Sequence, residues 1–344
     1  MSSPSEPLRI GVLAPTSTVA RLAVIPAIAA SPSCRLEAVA SLSDPDWRGE
    51  PPGSSWPSVR RHATYADLLE DPGIEAVYVP LPNSMHREWV ERSAAAGKHV
   101  LCEKPLAPSP EDAVAMATAC AEAGVVLMEA YMSPFHPRSR SVLAAVGSGR
   151  LGRLLYGAAV FTGTLSRPED HRWRPEMGGG ALLDLGIYCL TPLLEAAGVG
   201  GGPVVGGSGP ATPDDVVIWR AWASRAPLGV DATFEGTLGL GAGVTGLLRC
   251  SFEAGECQRL TLAGTEATLV VDRAFTPSLA DTDFRLVAPD GSVETVRTEG
   301  GDPYTAMVQH FAAVARGSVE VERPPSKSVA MAHLLARLDE QSRH

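Results

Sequence analysis

At 344 residues, 45% of them hydrophobic and 20% charged, the chain has the make-up of a soluble globular protein with enough length for two cores. Its net charge of -10, with no basic run longer than Arg60-Arg61, disfavours nucleic acid and anionic membrane, which both need clustered Lys and Arg, and favours a small-molecule ligand. The polar opening from Met1 to Pro7 and the lack of any apolar run approaching about 18 residues signal neither export nor membrane spanning, so a cytoplasmic location is expected.

The six cysteines show no C-x-x-C spacing and the histidines no H-E-x-x-H, so no disulfide framework and no metal site are expected. Leu8 to Leu13 predicts a strand, and the Ala-rich Val19 to Ala30 has helical spacing. A dinucleotide fold places its glycines at the turn between such elements, so that backbone N–H groups approach a pyrophosphate closely. Here the turn reads Ala14-Pro15-Thr16-Ser17-Thr18, and Gly11 lies inside the strand. Pro15 has no N–H to offer, whereas the hydroxyls of Thr16, Ser17 and Thr18 and the helix N-terminus remain as donors to phosphate.

A second strand over Leu36 to Ser41 ends in Ser41-Leu42-Ser43-Asp44, where the adenosine ribose is read. An acid there favours NAD and an arginine NADP. Asp44 comes slightly late and reads first as the opening of an Asp44-Pro45 turn, before an irregular loop from Pro45 to Pro57. A short helix over Ala66 to Leu69 and a third strand from Glu75 to Pro80 follow. Asn83 is placed to cap the next helix, and His86 to face back toward the strand ends. The run His99-Val100-Leu101-Cys102 then ends abruptly in Glu103-Lys104-Pro105. Parallel α/β sheets bind their ligands outside the carboxyl ends of the strands, which puts Glu103 and Lys104 where chemistry is done. Ser109-Pro110-Glu111-Asp112 reads as the next helix start, with a cap, a first-turn proline and two acids.

Val125 to Glu129 predicts another strand, with a domain boundary near Ala130. Beyond it, alternation in Leu154 to Thr162, Thr233 to Leu240, Val244 to Phe252, Arg259 to Leu262 and Thr268 to Val271 predicts a large, mostly antiparallel sheet. Gly178-Gly179-Gly180 opens a helix that stacks Asp184 and Tyr188 on one face, with Pro192 expected to kink it. The glycine-rich Gly198 to Gly209 reads as a loop, and Tyr304 to Ala315 and Ser326 to Leu338 as closing helices.

Three stretches carry a resemblance: Val77 to Val100 with its Pro80, Asn83 and His86; Glu103-Lys104-Pro105; and Gly178 to Tyr188. Together they resemble the glucose-fructose oxidoreductase, inositol dehydrogenase and MocA family, in its tyrosine-type branch. The resemblance implies an α/β fold: an N-terminal Rossmann domain over residues 1–129 and a C-terminal α+β domain over 130–344, built on that sheet. It implies hydride transfer between nicotinamide and a carbinol carbon of a sugar, nucleotide sugar, cyclitol or alicyclic alcohol, with NADP or NAD as cofactor and NADP slightly preferred. Pro80, Asn83, His86, Glu103 and Lys104 would line the nicotinamide end, and the Lys-Pro peptide is commonly cis. Tyr188 would exchange the hydroxyl proton, Lys104 would lower the tyrosine pKa, and Asp184 would hold a second hydroxyl. Arg172, Trp173 and Arg174 would bind an anionic or ring-shaped part of the substrate. Lys104 and Tyr188 are thus expected to meet at one substrate oxygen. A homodimer or homotetramer through the C-terminal sheet is expected, Val244, Leu247 and Leu248 supplying apolar surface. The altered glycine turn also motivates an alternative: a non-redox cyclase or lyase, or a binding protein.

Overall fold

The computed structural model describes residues 6–42, 59–199, 212 and 215–343; Asp44, the 45–57 loop and most of the 198–209 loop lie outside them. The chain forms two compact units, the first Met1–Met132 with Tyr304–Val329, the second Ser133–Pro303 with Ala330–His344. A single cut near Ala130 therefore does not describe the units, because residues 304–329 pack with the first.

The first unit is a six-stranded sheet: β1 (Leu8–Leu13), β2 (Cys34–Ala40), β3 (Arg60–His62), β4 (Ala76–Val79), β5 (His99–Glu103) and β6 (Leu127–Ala130). Their order is β3-β2-β1-β4-β5-β6, and every pairing is parallel. Strands covered on both faces need apolar side chains at successive positions, which is how Ala76 to Val79 reads, all four buried. The order reverses between β1 and β4, and the crevice beyond that switch point is where such sheets take ligands. The connecting helices are α1 (Ile25–Ala30), α2 (Tyr65–Glu70), α3 (His86–Ala95) and α4 (Pro110–Glu122). Thr64 and Asp67 close a reciprocal capping box on α2, and Ser109 accepts from the Asp112 N–H to start α4. Gly11, inside β1, lies against α2 and the turn after it. A Cβ there would stand 2.8 Å from Leu68 Cδ2 and 3.0 Å from Ile74 Cδ1, so a side chain at this position would push the Leu68 and Ile74 tips aside.

In the second unit, α5 (Pro137–Gly147), β7 (Leu154–Thr162) and α6 (Ala181–Ala196) precede β8 (Val217–Arg225), β9 (Asp231–Gly239), β10 (Thr245–Ser251), β11 (Cys257–Gly264), β12 (Thr268–Asp272), β13 (Asp283–Val287) and β14 (Val293–Arg297). The eight strands run β14-β13-β12-β11-β7-β10-β9-β8. Only β7 with β10 is parallel; the others are antiparallel. α6 lies against the β7 residues Gly157 and Phe161. A Cβ at Gly157 would stand 2.5 Å from Leu193, and Phe161 meets Tyr188 edge-on. Tyr156, Leu247 and Trp222 are exposed and belong by strand register to the opposite face. Val244 and Leu248, expected as surface, are instead core residues, and Leu247 alone of the three is exposed. The last helices, α7 (Pro303–Ala315) and α8 (Pro325–Gln341), extend the predicted closing segments by a turn or less.

Candidate active site

The turn after β1 keeps a glycine-like backbone without glycines. Ala14 has φ 46°, the left-handed region that costs an alanine about 1–2 kcal/mol. Its N–H donates to the Ala40 carbonyl, and its own carbonyl accepts from the Ser17 N–H at 3.0 Å. Pro15 is buried, with Thr16 and Ser17 half-buried and Thr18 exposed. The ring that lacks an N–H is thus turned inward, and three hydroxyl-bearing residues follow it. The Arg21 N–H bonds back to the Ser17 carbonyl, and the helix passes through one widened turn over Ala20–Val24 before Pro26. Proline cannot bond four residues back, and such widened turns relieve that conflict. A left-handed turn, hydroxyl donors and a helix N-terminus beyond β1 fit a dinucleotide phosphate. At the end of β2, Ser41 is buried and Leu42 exposed.

Past β4, Pro80 is buried. Asn83 opens a single 3-10 turn, Asn83–Met85, ahead of α3. His86 departs from expectation. Its ring is fully enclosed, with Nδ1 3.0 Å from the Leu106 carbonyl and 3.2 Å from that of Pro105, and Nε2 2.8 Å from the Leu81 carbonyl. It ties the segment after β4 to the segment after β5 and has no surface for a nicotinamide. Burial, and then the nearby Lys104 charge, hold its pKa below the ordinary range.

Glu103 closes β5 as a buried carboxylate. It accepts the Tyr78 hydroxyl at 2.6 Å and the Lys104 N–H at 3.2 Å, and burial pushes the Tyr78 phenol well above its usual value. The Lys104-Pro105 peptide is cis, and Lys104 is half-buried. The residue after it is held by a group that sequence reasoning missed. Glu129, at the end of β6, accepts the Leu106 N–H at 2.8 Å and the Ser328 hydroxyl at 2.8 Å. Arg323 stands 4.0 Å from it and over the Tyr131 ring, 5.0 Å from its centroid. The available signal was one carboxylate inside the apolar strand Leu127-Met128-Glu129-Ala130.

In the second unit, each residue of the glycine run has its own reason to lack a side chain. Gly178 has φ 71°. A Cβ on Gly179 would stand 2.3 Å from the Arg172 carbonyl, and one on Gly180, at φ 119°, would stand 2.2 Å from Asp231 Oδ1. The Gly180 N–H donates to Arg172 O and the Gly179 N–H to Arg174 O, folding residues 172–174 over the start of α6. Arg172 is engaged by acids: its Nε lies 3.1 Å from Asp184 Oδ2 and its Nη1 3.2 Å from Asp170 Oδ2. It therefore orients Asp184 rather than standing as a lone cation for substrate, and Asp170 was not foreseen. Trp173 sets its ring edge-on to Phe252 at 5.4 Å, and Arg174 pairs loosely with Glu176 at 3.7 Å. Asp184 and Tyr188 follow one turn apart on α6, which runs through Pro192 to Ala196. The Tyr188 ring is 7% exposed, held edge-on to Phe161 at 5.3 Å, which in turn stacks on Phe275.

Comparison with known proteins bears on this arrangement. Residues 21–131 match the model of an oxidoreductase family with an NAD-binding Rossmann fold, and residues 139–270 match a GFO/IDH/MocA C-terminal domain. The chain is 32% identical over 325 residues to a D-xylose 1-dehydrogenase (NADP(+)) of Haloferax volcanii, covering 94% of each chain. It is 34% identical over 311 residues to a dTDP-3,4-didehydro-2,6-dideoxy-alpha-D-glucose 3-reductase of Streptomyces violaceoruber, covering 90% of this chain and 85% of that one. Among solved structures, a 3-ketoreductase of Actinomadura kijaniata in complex with NADP and TDP-benzene superposes with a TM-score of 0.83 at 27% identity, over 97% of this chain and 98% of the other.

Proposed function

Since the chain belongs to the glucose-fructose oxidoreductase, inositol dehydrogenase and MocA family, we propose that it interconverts a ketone and a secondary alcohol on a sugar or nucleotide-linked sugar, with NADP(H) and with Tyr188 as acid/base. The chain is a nicotinamide-dependent oxidoreductase. The relatives lend no support to a non-redox cyclase, lyase or binding protein. NADP rather than NAD is favoured by the names those relatives carry, and the sugar class likewise.

One observation carries the reading of this chain's own residues: a largely buried tyrosine on α6, one helical turn after an oriented carboxylate, Asp184. When bound, the reduced nicotinamide supplies a hydride to the carbonyl carbon. The Tyr188 hydroxyl gives its proton to the carbonyl oxygen, which becomes the alcohol, and takes that proton back in the reverse direction. Lys104 contributes positive charge that stabilises the negative charge developing on the substrate oxygen. Asp184, fixed by Arg172, accepts a hydrogen bond from a neighbouring hydroxyl. Glu103, Glu129 and His86 support the Lys104 segment, while Asn83 and Pro80 face the nicotinamide end.

The cofactor assignment is tested by titrating the protein into NADPH and NADH and following fluorescence. Saturable binding of NADPH is expected, weaker than a glycine fingerprint gives, because each missing hydrogen bond to a charged phosphate is worth about 1.5–3 kcal/mol. Ala14→Gly should tighten it by up to about tenfold and should not destabilise the fold, since relief of the left-handed strain of about 1–2 kcal/mol offsets the usual cost of about 0.5–1 kcal/mol for glycine. Failure of wild type and Ala14→Gly alike to bind either cofactor would sink the assignment.

We also place the protein in the cytoplasm, a reading supported by its cysteines being free thiols, and propose a homodimer or homotetramer through the open face of the eight-stranded sheet. Trp222, Leu247 and Tyr156, 46%, 40% and 41% exposed, supply the apolar surface, and such a surface is normally an interface. Sedimentation at micromolar concentration should report a dimer or larger, and Leu247→Glu should shift it toward monomer; a monomeric wild type contradicts the proposal.

A further inference from the structure

We propose that Asp231 is the positioning residue of α6: from the start of β9 its carboxylate holds the first turn of the helix, and with it the orientation of Asp184 and Tyr188. The inference rests on the reading of α6 as the reacting helix. A helix begins with backbone N–H groups that have no partner within it, and the residue before Ala181 is Gly180, which has no side chain to cap them. Asp231, the first residue of β9, answers in its place. Its Oδ2 accepts the Leu182 N–H at 2.7 Å, and its negative charge meets the positive end of the helix dipole.

The glycine run admits this carboxylate. Asp231 Oδ1 lies 2.2 Å from where a Cβ on Gly180 would be, and Gly180 has φ 119°, so any side chain at 180 would evict the carboxylate. The consequence reaches the reacting residues through the helix itself. The Asp184 N–H donates to the Gly180 carbonyl at 3.1 Å, and Tyr188 is the next turn. A small misplacement of a reacting group is costly, about a hundredfold in rate for 1 Å.

The charged and titratable groups around Asp231 are Arg225 of β8, Asp339 of α8 and the Cys250 thiol of β10. Arg225 and Asp339 pair with each other at 3.0 Å and act on Asp231 in opposite senses. Burial prevails and pushes its carboxyl up to about 6. The carboxylate is therefore ionised at neutral pH and takes up its proton as pH falls through about 6. A raised carboxylate pKa means that the folded state binds that proton more tightly than the unfolded one, so acidification from neutral toward about 6 favours folding through this group. Catalysis through a charged cap moves the other way and weakens over the same range. A residue that merely holds the fold together would not separate the two.

The test uses full-length protein with two probes, D-xylose with NADP+ and a dTDP-linked 3-ketohexose with NADPH, together with amide hydrogen exchange over residues 181–188. Asp231→Ala is expected to lower kcat about ten- to hundredfold, leave the KM for cofactor unchanged and speed exchange at Leu182. Asp231→Asn, which keeps an acceptor, is expected to recover most of the rate and to lack the acid limb near pH 6 that is expected of wild type. Gly180→Ala should reproduce Asp231→Ala from the opposite side and serves if that variant fails to fold. Wild-type kcat in Asp231→Ala, an acid limb persisting in Asp231→Asn, or unaltered exchange at Leu182 overturns the proposal. Should wild type turn over neither probe and bind no NADPH, it is the functional reading that fails, and the exchange measurement still decides the role of Asp231.

Discussion

Tyr188→Phe is expected to lower turnover by about a hundredfold or more, since proton transfer by a positioned side chain contributes roughly 10²–10⁴, with the affinity for NADPH unchanged. The substitution removes the phenolic oxygen and keeps the ring. A phenylalanine keeps the edge-on contact with Phe161 at 5.3 Å and the burial of the ring, so loss of fold does not compete as an explanation. Lys104→Met, which keeps the length of the side chain and loses its charge, should also depress kcat. If both groups act on one substrate oxygen, the double variant should be little worse than the poorer single one, because groups that act as a unit are not additive. Single-turnover rates with saturating NADPH are the measurement. A Tyr188→Phe enzyme with undiminished turnover would leave Lys104 as the sole acid/base, and additive losses would mean that the two act independently.

Glu129→Ala is expected to destabilise the first unit by about 3 kcal/mol or more. Two groups depend on this carboxylate directly, the Leu106 N–H and the Ser328 hydroxyl. A third, the Arg323 guanidinium, is 6% exposed and would lose a carboxylate that stands 4.0 Å from it. Removing one member of a buried ionic cluster leaves the others with desolvation that is no longer offset. The loss should also reach the site, because Leu106 follows the Lys104-Pro105 peptide. Urea unfolding followed by a probe in the first unit is the measurement, paired with Glu129→Gln, which keeps an acceptor and should lose less. A Glu129→Ala protein as stable as wild type would show that Arg323 and Ser328 find other partners.

The parts of this protein legible from its residues are those determined by local chemistry. An apolar run located β1 at Leu8–Leu13 to the residue, and the run from His99 that ends in charge located β5. Ser109-Pro110 marked the start of α4 because a cap and a first-turn proline act within four residues. The strand β7 was equally plain, having one face on α6 and the other open. Four strands escaped: the three-residue edge strand β3, β8, whose tryptophans alternate with arginines and are exposed, and the polar edge hairpin of β13 and β14. An edge strand buries little, so it carries no strong periodicity.

Site residues divide in the same way. Lys104, Tyr188 and Asp184, the residues proposed to react, stand out from their neighbours in sequence, since a strand tip or one helix face carries them. The groups that hold them come from elsewhere in the chain and have no local signature. Asp231 caps a helix that begins 50 residues earlier at Ala181, Asp170 shares Arg172 with Asp184, and Glu129 reaches Ser328. His86 looked like a ligand by position and became a clamp, because three main-chain carbonyls converge on its ring only once the segments after β4 and β5 lie side by side. Ala14 reads as a broken fingerprint, yet its backbone is left-handed all the same. Residue identity sets how much such a conformation costs, whereas the packing of β1 against its neighbours decides that it is adopted.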